Sequence, residues 1–177
     1  MVNSVYSLEF DDDSGAVGFA KSEDVRRFRH AFLGTDTVSS EFDDLELTCE
    51  HDRMPHNSSD FKDFFVGGLL VVEGGKKKLE GVLGGLGQWI PMRLGNESVF
   101  YFHPTKALDI VDKDNSDLLY YDGYLTGVNK FAFRELDDDL PLIFKMSGFE
   151  NYGLVVSCEF KKYVEESALT GLSFKKL

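Results

Sequence analysis

The last stretch of the chain, residues 153–177, constrains the possible fold most strongly. Residues 154–156, Leu-Val-Val, form a short apolar run that is typical of a strand inside a sheet. Ser157 can cap a following helix, and Gly171 stands where a left-handed residue would end it. Alternation in residues 172–174 then predicts a final strand, which completes a C-terminal strand–helix–strand unit. Five residues at helical spacing form the apolar face of its helix: Phe160, Tyr163, Val164, Ala168 and Leu169.

A second copy of this pattern lies upstream. Residues 68–80, GLLVVEGGKKKLE, match residues 153–165, GLVVSCEFKKYVE, in register. Gly74 and Gly75 interrupt the upstream helix, and each glycine inside a helix costs about 1 kcal/mol relative to alanine. We therefore expect the upstream segment to be either a short helix or a loop.

The other predicted helix lies near the amino terminus. Ser22 can cap it and Gly34 ends it. Its predicted apolar face comprises Val25, Phe28 and Phe32. Three arginines, which lie mostly on the outer side, are Arg26, Arg27 and Arg29.

Strand patterns dominate the remaining chain. The clearest hairpin signal is the Asp122-Gly123 pair between residues 118–121 and 124–125, because Asp-Gly favours a type I′ turn. We predict an α+β fold with a mainly antiparallel sheet, about two flanking amphipathic helices and the C-terminal strand–helix–strand unit. No linker rich in Pro, Ser or Gly divides residues 1–177, so we expect a single domain.

The charge balance limits the possible partners. The formal net charge is −12, and residues 1–66 hold 15 acidic and 6 basic residues. Such a chain repels nucleic acid and anionic membranes, and it suits a basic protein partner. No apolar run in the sequence approaches the length of a membrane helix, about 18 residues, and the sequence does not begin with a basic-then-apolar leader. The two cysteines are too few for a disulfide framework. We therefore expect a cytoplasmic protein that binds neither nucleic acid nor membrane.

Few residues suggest catalysis or metal binding. Cys49, His51 and His56 lie close together, but no further pair completes a zinc set. Cys158 begins a predicted helix, where a thiol can have a lowered pKa, yet every histidine is distant in sequence. We predict no cofactor and no enzymatic activity. The alternative is a small-ligand or metal-binding module, or a hydrolase that uses Cys158.

Several blocks in residues 61–177 occur together in a known family. They are residues 155–157, 160–162 and 170–174, the Leu-Leu-Val-Val block 69–72, the strand with Pro91, and residues 100–101, 109–112 with Ser116, and 143–144. In these blocks the chain resembles the bacterial immunity proteins of polymorphic toxin systems, formerly a domain of unknown function. Residues 1–60 form a variable acidic part without such a likeness.

The resemblance implies a cytoplasmic protein that binds and neutralises a cognate toxin without catalysis. The family supplies no contact residues, so the binding surface is predicted from this chain alone. We expect partner binding by four acids on the exposed side of a predicted strand, Asp43, Asp44, Glu46 and Glu50, which would steer a basic toxin surface. Tyrosines beside the predicted hairpin, Tyr120, Tyr121 and Tyr124, are either strand residues or partner anchors.

Overall fold

The computed structural model describes residues 4–11, 16–49, 59–65, 67–136 and 139–177. In chain order its elements are β1 (Val5–Phe10), β2 (Val17–Phe19), α1 (Ser22–Phe32), β3 (Leu45–Cys49), β4 (Phe61–Lys62), β5 (Leu69–Val72), α2 (Glu73–Leu83), β6 (Gly87–Leu94), β7 (Glu97–Pro104), β8 (Ala107–Leu108), β9 (Asp117–Tyr121), β10 (Tyr124–Lys130), β11 (Ile143–Met146), β12 (Leu154–Ser157), α3 (Cys158–Glu166) and β13 (Leu172–Lys176).

The strands form two sheets and a separate ribbon. One sheet has six strands in the order β2-β3-β6-β7-β5-β4, and the other has five in the order β13-β1-β12-β11-β8. The ribbon is the hairpin of β9 and β10. Among the described strands, β3–β6 and β8–β11 are parallel pairs and the others are antiparallel. The predicted α+β class with a mainly antiparallel sheet is confirmed, and the described residues form three α-helices instead of about two.

Strand alternation divides the apolar residues between the two faces of each sheet. In β5, Leu69 and Val71 point to one side and Leu70 to the other. The first side belongs to the inter-sheet core, which both sheets share with α2 and α3. This core comprises Phe61, Leu69, Val71, Leu79, Leu83, Phe102, Ile143, Leu154, Val156, Phe160, Val164 and Leu169.

Helix α1 packs on the opposite face of the six-stranded sheet. Phe28 and Phe32 are fully buried, with their rings stacked at 3.8 Å between centroids. Val25 is 45% exposed, so its predicted place on the apolar face is wrong; one position earlier, Asp24 is buried and pairs with Arg27. Ser22 is also not the cap, because the helix already begins there and no side chain bonds to its first turn.

The C-terminal strand–helix–strand unit is confirmed. Ser157 caps α3, since its side-chain oxygen accepts a hydrogen bond from the backbone N–H of Phe160 at 3.3 Å. The end of the helix differs from the prediction. Ala168, not Gly171, occupies the left-handed terminal position at φ +49°, and it is exposed instead of packed. The backbone N–H of Leu169 donates to Val164, which closes the helix as in a Schellman motif.

Gly171 has a different role, because a close approach of two segments requires it. Its φ is +99°, and a Cβ there would lie 2.0 Å from Ser59 Oγ and 2.8 Å from the carbonyl oxygen of Phe61. The loop before β13 therefore packs directly against the segment that leads into β4. A side chain at this position would separate them.

Both copies of the sequence repeat fold as a strand followed by a helix. The upstream copy forms α2, an eleven-residue helix, so the short-helix alternative was the better one. Gly74 and Gly81 face open space, and a Cβ on Gly75 would have its nearest contact at 3.4 Å. The glycines therefore weaken this helix without interrupting it.

The two helices also contact each other at equivalent positions of the repeat. The hydroxyl of Tyr163 donates to the carbonyl of Lys78, 85 residues earlier, at 2.6 Å. Lys76 pairs with Glu80 in α2, and Lys161 pairs with Glu165 at the matching places in α3. The 85-residue repeat is therefore structural and not only a likeness of sequence.

A buried lysine connects the two sheets. Lys145 lies on β11 and is fully buried, and its ammonium group donates to three carbonyls at the end of α1. The acceptors are Phe32 at 2.6 Å, Leu33 at 3.2 Å and Gly34 at 2.6 Å. Burial lowers the pKa of Lys145 to about 8, while Glu150 acts in the opposite direction. The lysine is therefore mostly charged at neutral pH, and it neutralises the negative end of the helix.

Replacing Lys145 should be costly. Lys145→Met keeps most of the side-chain volume but leaves three carbonyls without their donor, so we expect a loss of about 3 kcal/mol in unfolding free energy. The matched control is Lys162→Met, which removes an exposed lysine paired with Glu166 at 3.7 Å and should change stability by less than about 0.5 kcal/mol. Urea unfolding measures both. Equal stability of the two variants would contradict the assigned role.

Two substitutions in the loop after α3 should have opposite effects. Ala168→Gly relieves a left-handed alanine and should stabilise the protein by about 0.5–1 kcal/mol. Gly171→Ala adds a methyl group where backbone lies too close, so we expect a loss of about 3 kcal/mol. Thermal unfolding gives the two signs. A tolerated Gly171→Ala would show that the segments separate freely.

Candidate partner-binding surface

The β9–β10 ribbon presents the most exposed aromatic side chains of the described residues. Tyr121 is 77% exposed, Tyr124 is 75% exposed and Tyr120 is 61% exposed. The turn between the strands has positive φ at both central residues, +50° at Asp122 and +80° at Gly123. This matches the predicted type I′ turn, whose twist suits a hairpin. Tyr121 and Tyr124 are directly opposite each other beside this turn.

The two faces of the ribbon differ in what they contact. Its inner face packs Leu118, Leu125 and Val128 against the core beneath the five-stranded sheet. That core comprises Val5, Ile110, Val111, Phe144, Met146, Phe149 and Val155. The outer face exposes Leu119 with Tyr121 and Tyr124. The ribbon is therefore anchored on one side and free to contact a partner on the other.

A polar network holds the base of the ribbon. The hydroxyl of Ser116 donates to the carbonyl of Asp112 at 2.5 Å and accepts from the backbone N–H of Ala132 at 2.9 Å. Hydrogen bonds from the side chain and backbone of Asn115 are the main cause that lowers the pKa of Asp112. These bonds join the residues before β9 to those after β10, so they fix where the ribbon leaves the sheet.

The acidic residues predicted to bind a partner lie elsewhere, at one end of β3. Asp43 and Asp44 are exposed in a turn, and Asp44 has a φ of +61°, a conformation that aspartate tolerates well. Glu46 is exposed but pairs with Arg93 on the neighbouring strand at 2.8 Å. Glu50 lies outside the described residues. The structure thus brings three of the acids to one corner, and a cation neutralises one of them.

Cys158 has an environment that opposes nucleophilic chemistry. Its thiol donates to the carboxylate of Glu159 at 3.2 Å, and that hydrogen bond, with some burial, raises the pKa of Cys158. A raised pKa keeps the sulfur as the thiol, whereas the thiolate is the nucleophile. The helix start does not reverse this effect.

The candidate metal site of Cys49, His51 and His56 lies only partly within the described residues. Cys49 is half-buried at the end of β3, and its companions His51 and His56 lie outside the described residues. Within the described ranges, no three His, Cys, Asp or Glu side chains are grouped in a way that could hold a metal ion.

A small cleft lies between β1, residues 63–65 and 67–68, and residues 152–154. Its volume is about 230 Å³, below the roughly 300–1,000 Å³ of small-molecule sites. Phe10, Phe64 and Tyr152 supply aromatic lining, and Asp63 supplies a carboxylate. The cleft is therefore of side-chain size.

His103 is a buried polar residue that the sequence analysis did not identify. Its Nε2 donates to the carbonyl of Asp36 at 2.9 Å, and its Nδ1 has no hydrogen-bond partner among the described residues. Burial, followed by repulsion from Lys145, lowers the pKa of His103 to about 4. Its ring contacts Phe32 with centroids 5.0 Å apart. The imidazole is therefore neutral at pH 7 and belongs to the interior around the end of α1.

Comparison with known proteins gives no family assignment. The chain matches no protein-family model, and it has no significant match among curated proteins. None of the helices in the described ranges has the length and apolar composition to cross a membrane. The likeness to immunity proteins therefore stays a prediction from the sequence.

The buried histidine predicts how stability depends on pH. The pKa of His103 is about 4 in the folded chain and about 6.5 when unfolded, so the unfolded chain binds more protons between these values. Stability should therefore fall as the pH drops from about 6.5 to 4, by up to about 3 kcal/mol from this residue.

The control for this effect is His103→Gln, whose amide nitrogen can still donate to Asp36 and cannot titrate. The difference in stability between wild type and this variant should shrink on acidification, as measured by urea unfolding at pH 7, 5.5 and 4. A difference that stays constant over this range would show that His103 is not held neutral.

Proposed function

We propose that this protein is a cytoplasmic immunity protein, which binds a cognate toxin and neutralises it without catalysis. The observation that carries the proposal is the tyrosine ribbon, defined by Leu119, Tyr121 and Tyr124 on the outer face of the hairpin. Tyrosine is enriched among the residues that dominate binding energy, because its ring buries a large area and its hydroxyl bonds at the rim. The resemblance of residues 61–177 to immunity proteins supplies the kind of partner.

The charge around the ribbon supports a basic toxin surface. Asp122 is exposed in the turn between Tyr121 and Tyr124, and the whole chain carries −12, whereas Asp117 at the other end of the ribbon is opposite Lys130. Opposite charges accelerate association and fix its orientation, whereas buried aromatic contacts slow dissociation. We propose the ribbon as the main contact and the corner of Asp43, Asp44 and Glu46 as a steering surface.

Binding fits the described residues better than catalysis does. Among the described residues, the groups whose pKa values depart most from their ordinary values are Tyr101, His103 and Lys145. All three are buried in the interior. Buried groups of this kind are inaccessible to a substrate. Cys158 has its pKa raised, which is the wrong direction for an attacking thiol.

The test is co-expression with the product of the adjacent upstream gene. We expect that product to inhibit growth alone, and we expect this protein to restore growth and to co-purify with it. Tyr121→Ser combined with Tyr124→Ser should weaken toxin affinity by about a hundredfold or more, since each is a candidate hot spot. Leu177→Ser, another exposed apolar residue, is the control and should bind as wild type does.

A second variant separates steering from docking. Reversing the charges of Asp43, Asp44, Glu46 and Glu50 to lysine should slow association and increase its dependence on salt, with a smaller effect on dissociation. Kinetics of toxin binding at two salt concentrations measure this. Unchanged kinetics would remove the acidic corner from the interface, and full binding by the double-serine variant would remove the ribbon. If no neighbouring gene product is toxic, the immunity role fails.

A further inference from the structure

The outer face of α1 carries a cluster of cations around a concave surface. Arg26, Arg29 and His30 line a depression of about 550 Å³, together with Arg27 and Leu33. Arg26, Arg29 and His30 are all exposed. We call these three residues the arginine stripe. It lies on the solvent side of the helix whose opposite side packs Phe28 and Phe32 into the core.

The arginines of the stripe differ from the other described arginines in their pairing. Arg27 pairs with Asp24 and Glu41, and two arginines elsewhere also have acids: Arg93 with Glu46 and Arg134 with Asp109. No ion pair joins Arg26 or Arg29 to an acid among the described residues. In a chain of net charge −12, acids are plentiful, so two neighbouring arginines without an acidic partner in the described part of the chain leave a local positive surface.

The helix dipole does not fully account for this arrangement. Arg29 and His30 lie in the last turn of α1, where positive charge stabilises a helix. Arg26 lies one turn earlier, and the effect fades beyond the last turn. The dipole also gives no reason for a depression between the side chains. Two guanidinium groups three residues apart on one face can instead bind carboxylates through paired N–H groups.

We propose that the arginine stripe binds a carboxylate-rich segment of a protein partner. The positive charge of the stripe selects an anionic occupant, and the apolar side chains beside it favour a protein segment over nucleic acid. Val25, which is 45% exposed on the same side of the helix, and Leu33 add apolar contact beside the guanidinium groups. The inference goes beyond the proposed immunity function: the stripe lies over the six-stranded sheet, whereas the tyrosine ribbon packs on the core of the five-stranded sheet.

The experiment uses the full chain and a defined probe. A capped heptapeptide that contains four glutamates is titrated by calorimetry, beside the same peptide with four glutamines. We expect saturable binding of the glutamate peptide alone, weakened by raising the salt from about 0.05 to 0.5 M. Changes in the amide chemical shifts of the NMR spectrum should place the bound peptide at residues 26–33.

Matched variants show whether the stripe itself is responsible. Arg26→Gln combined with Arg29→Gln should weaken the affinity for the glutamate peptide by about tenfold or more. Lys106→Gln combined with Lys176→Gln removes the same charge from exposed positions elsewhere and should leave binding unchanged. The double-serine variant of the ribbon should also bind the peptide normally, so that loss of toxin binding and loss of peptide binding are separate results.

Three results would overturn the proposal. The first is no saturable binding of the glutamate peptide. The second is equal weakening in the arginine and lysine variants, which would indicate the general charge of the chain. The third is tighter binding of a uridine oligonucleotide at residues 26–33, which would assign the stripe to nucleic acid.

Discussion

The ammonium group of Lys145 is the contact on which the arrangement of the two sheets depends. It projects from the five-stranded sheet and ends at the carbonyls of Phe32, Leu33 and Gly34, which finish the helix packed on the six-stranded sheet. A lysine without solvent is unfavourable unless its donors are satisfied, and here three acceptors and the helix dipole offset that cost. The same charge helps keep His103 neutral, since it repels a second proton nearby. The end of α1, Lys145 and His103 therefore depend on one another in the interior of the protein.

Agreement among local signals explains why the C-terminal strand–helix–strand unit is predictable from sequence and other parts are less so. In residues 153–177, an apolar run, a capping serine and helical spacing agree, and the structure follows them. In the upstream copy, the glycines left a short helix and a loop as alternatives, and α2 forms with Leu79 and Leu83 fully buried in the shared core. Tertiary packing therefore outweighs the local cost of glycine. The helix ends were less predictable, because Val25 and Ala168 are apolar residues at helical spacing that face solvent.

The sequence indicates the tyrosines and the acids as candidate binding residues, but it does not show which of them are more available to a partner. The Asp-Gly turn places Tyr121 and Tyr124 together from sequence alone, but only the structure shows that their face of the ribbon is uncovered. The pairing of Glu46 with Arg93 depends on two strands that are distant in sequence, so a count of acids overstates the charge of that corner. Lys145 gives a weak signal, a lysine between apolar residues in Ile-Phe-Lys-Met, which alternation alone assigns to a face without naming its partner.

Both proposed surfaces lie on elements whose opposite side is packed, which separates binding from folding. The ribbon is anchored by its inner face, and α1 is anchored by Phe28 and Phe32. Exposed side chains on such elements contribute little to stability, so they are free to serve recognition. The two surfaces also differ in charge, with carboxylates beside the tyrosines and guanidinium groups on α1. If the partner is basic, as we propose, it would be attracted by the first surface and repelled by the second, so electrostatics would favour docking at the ribbon.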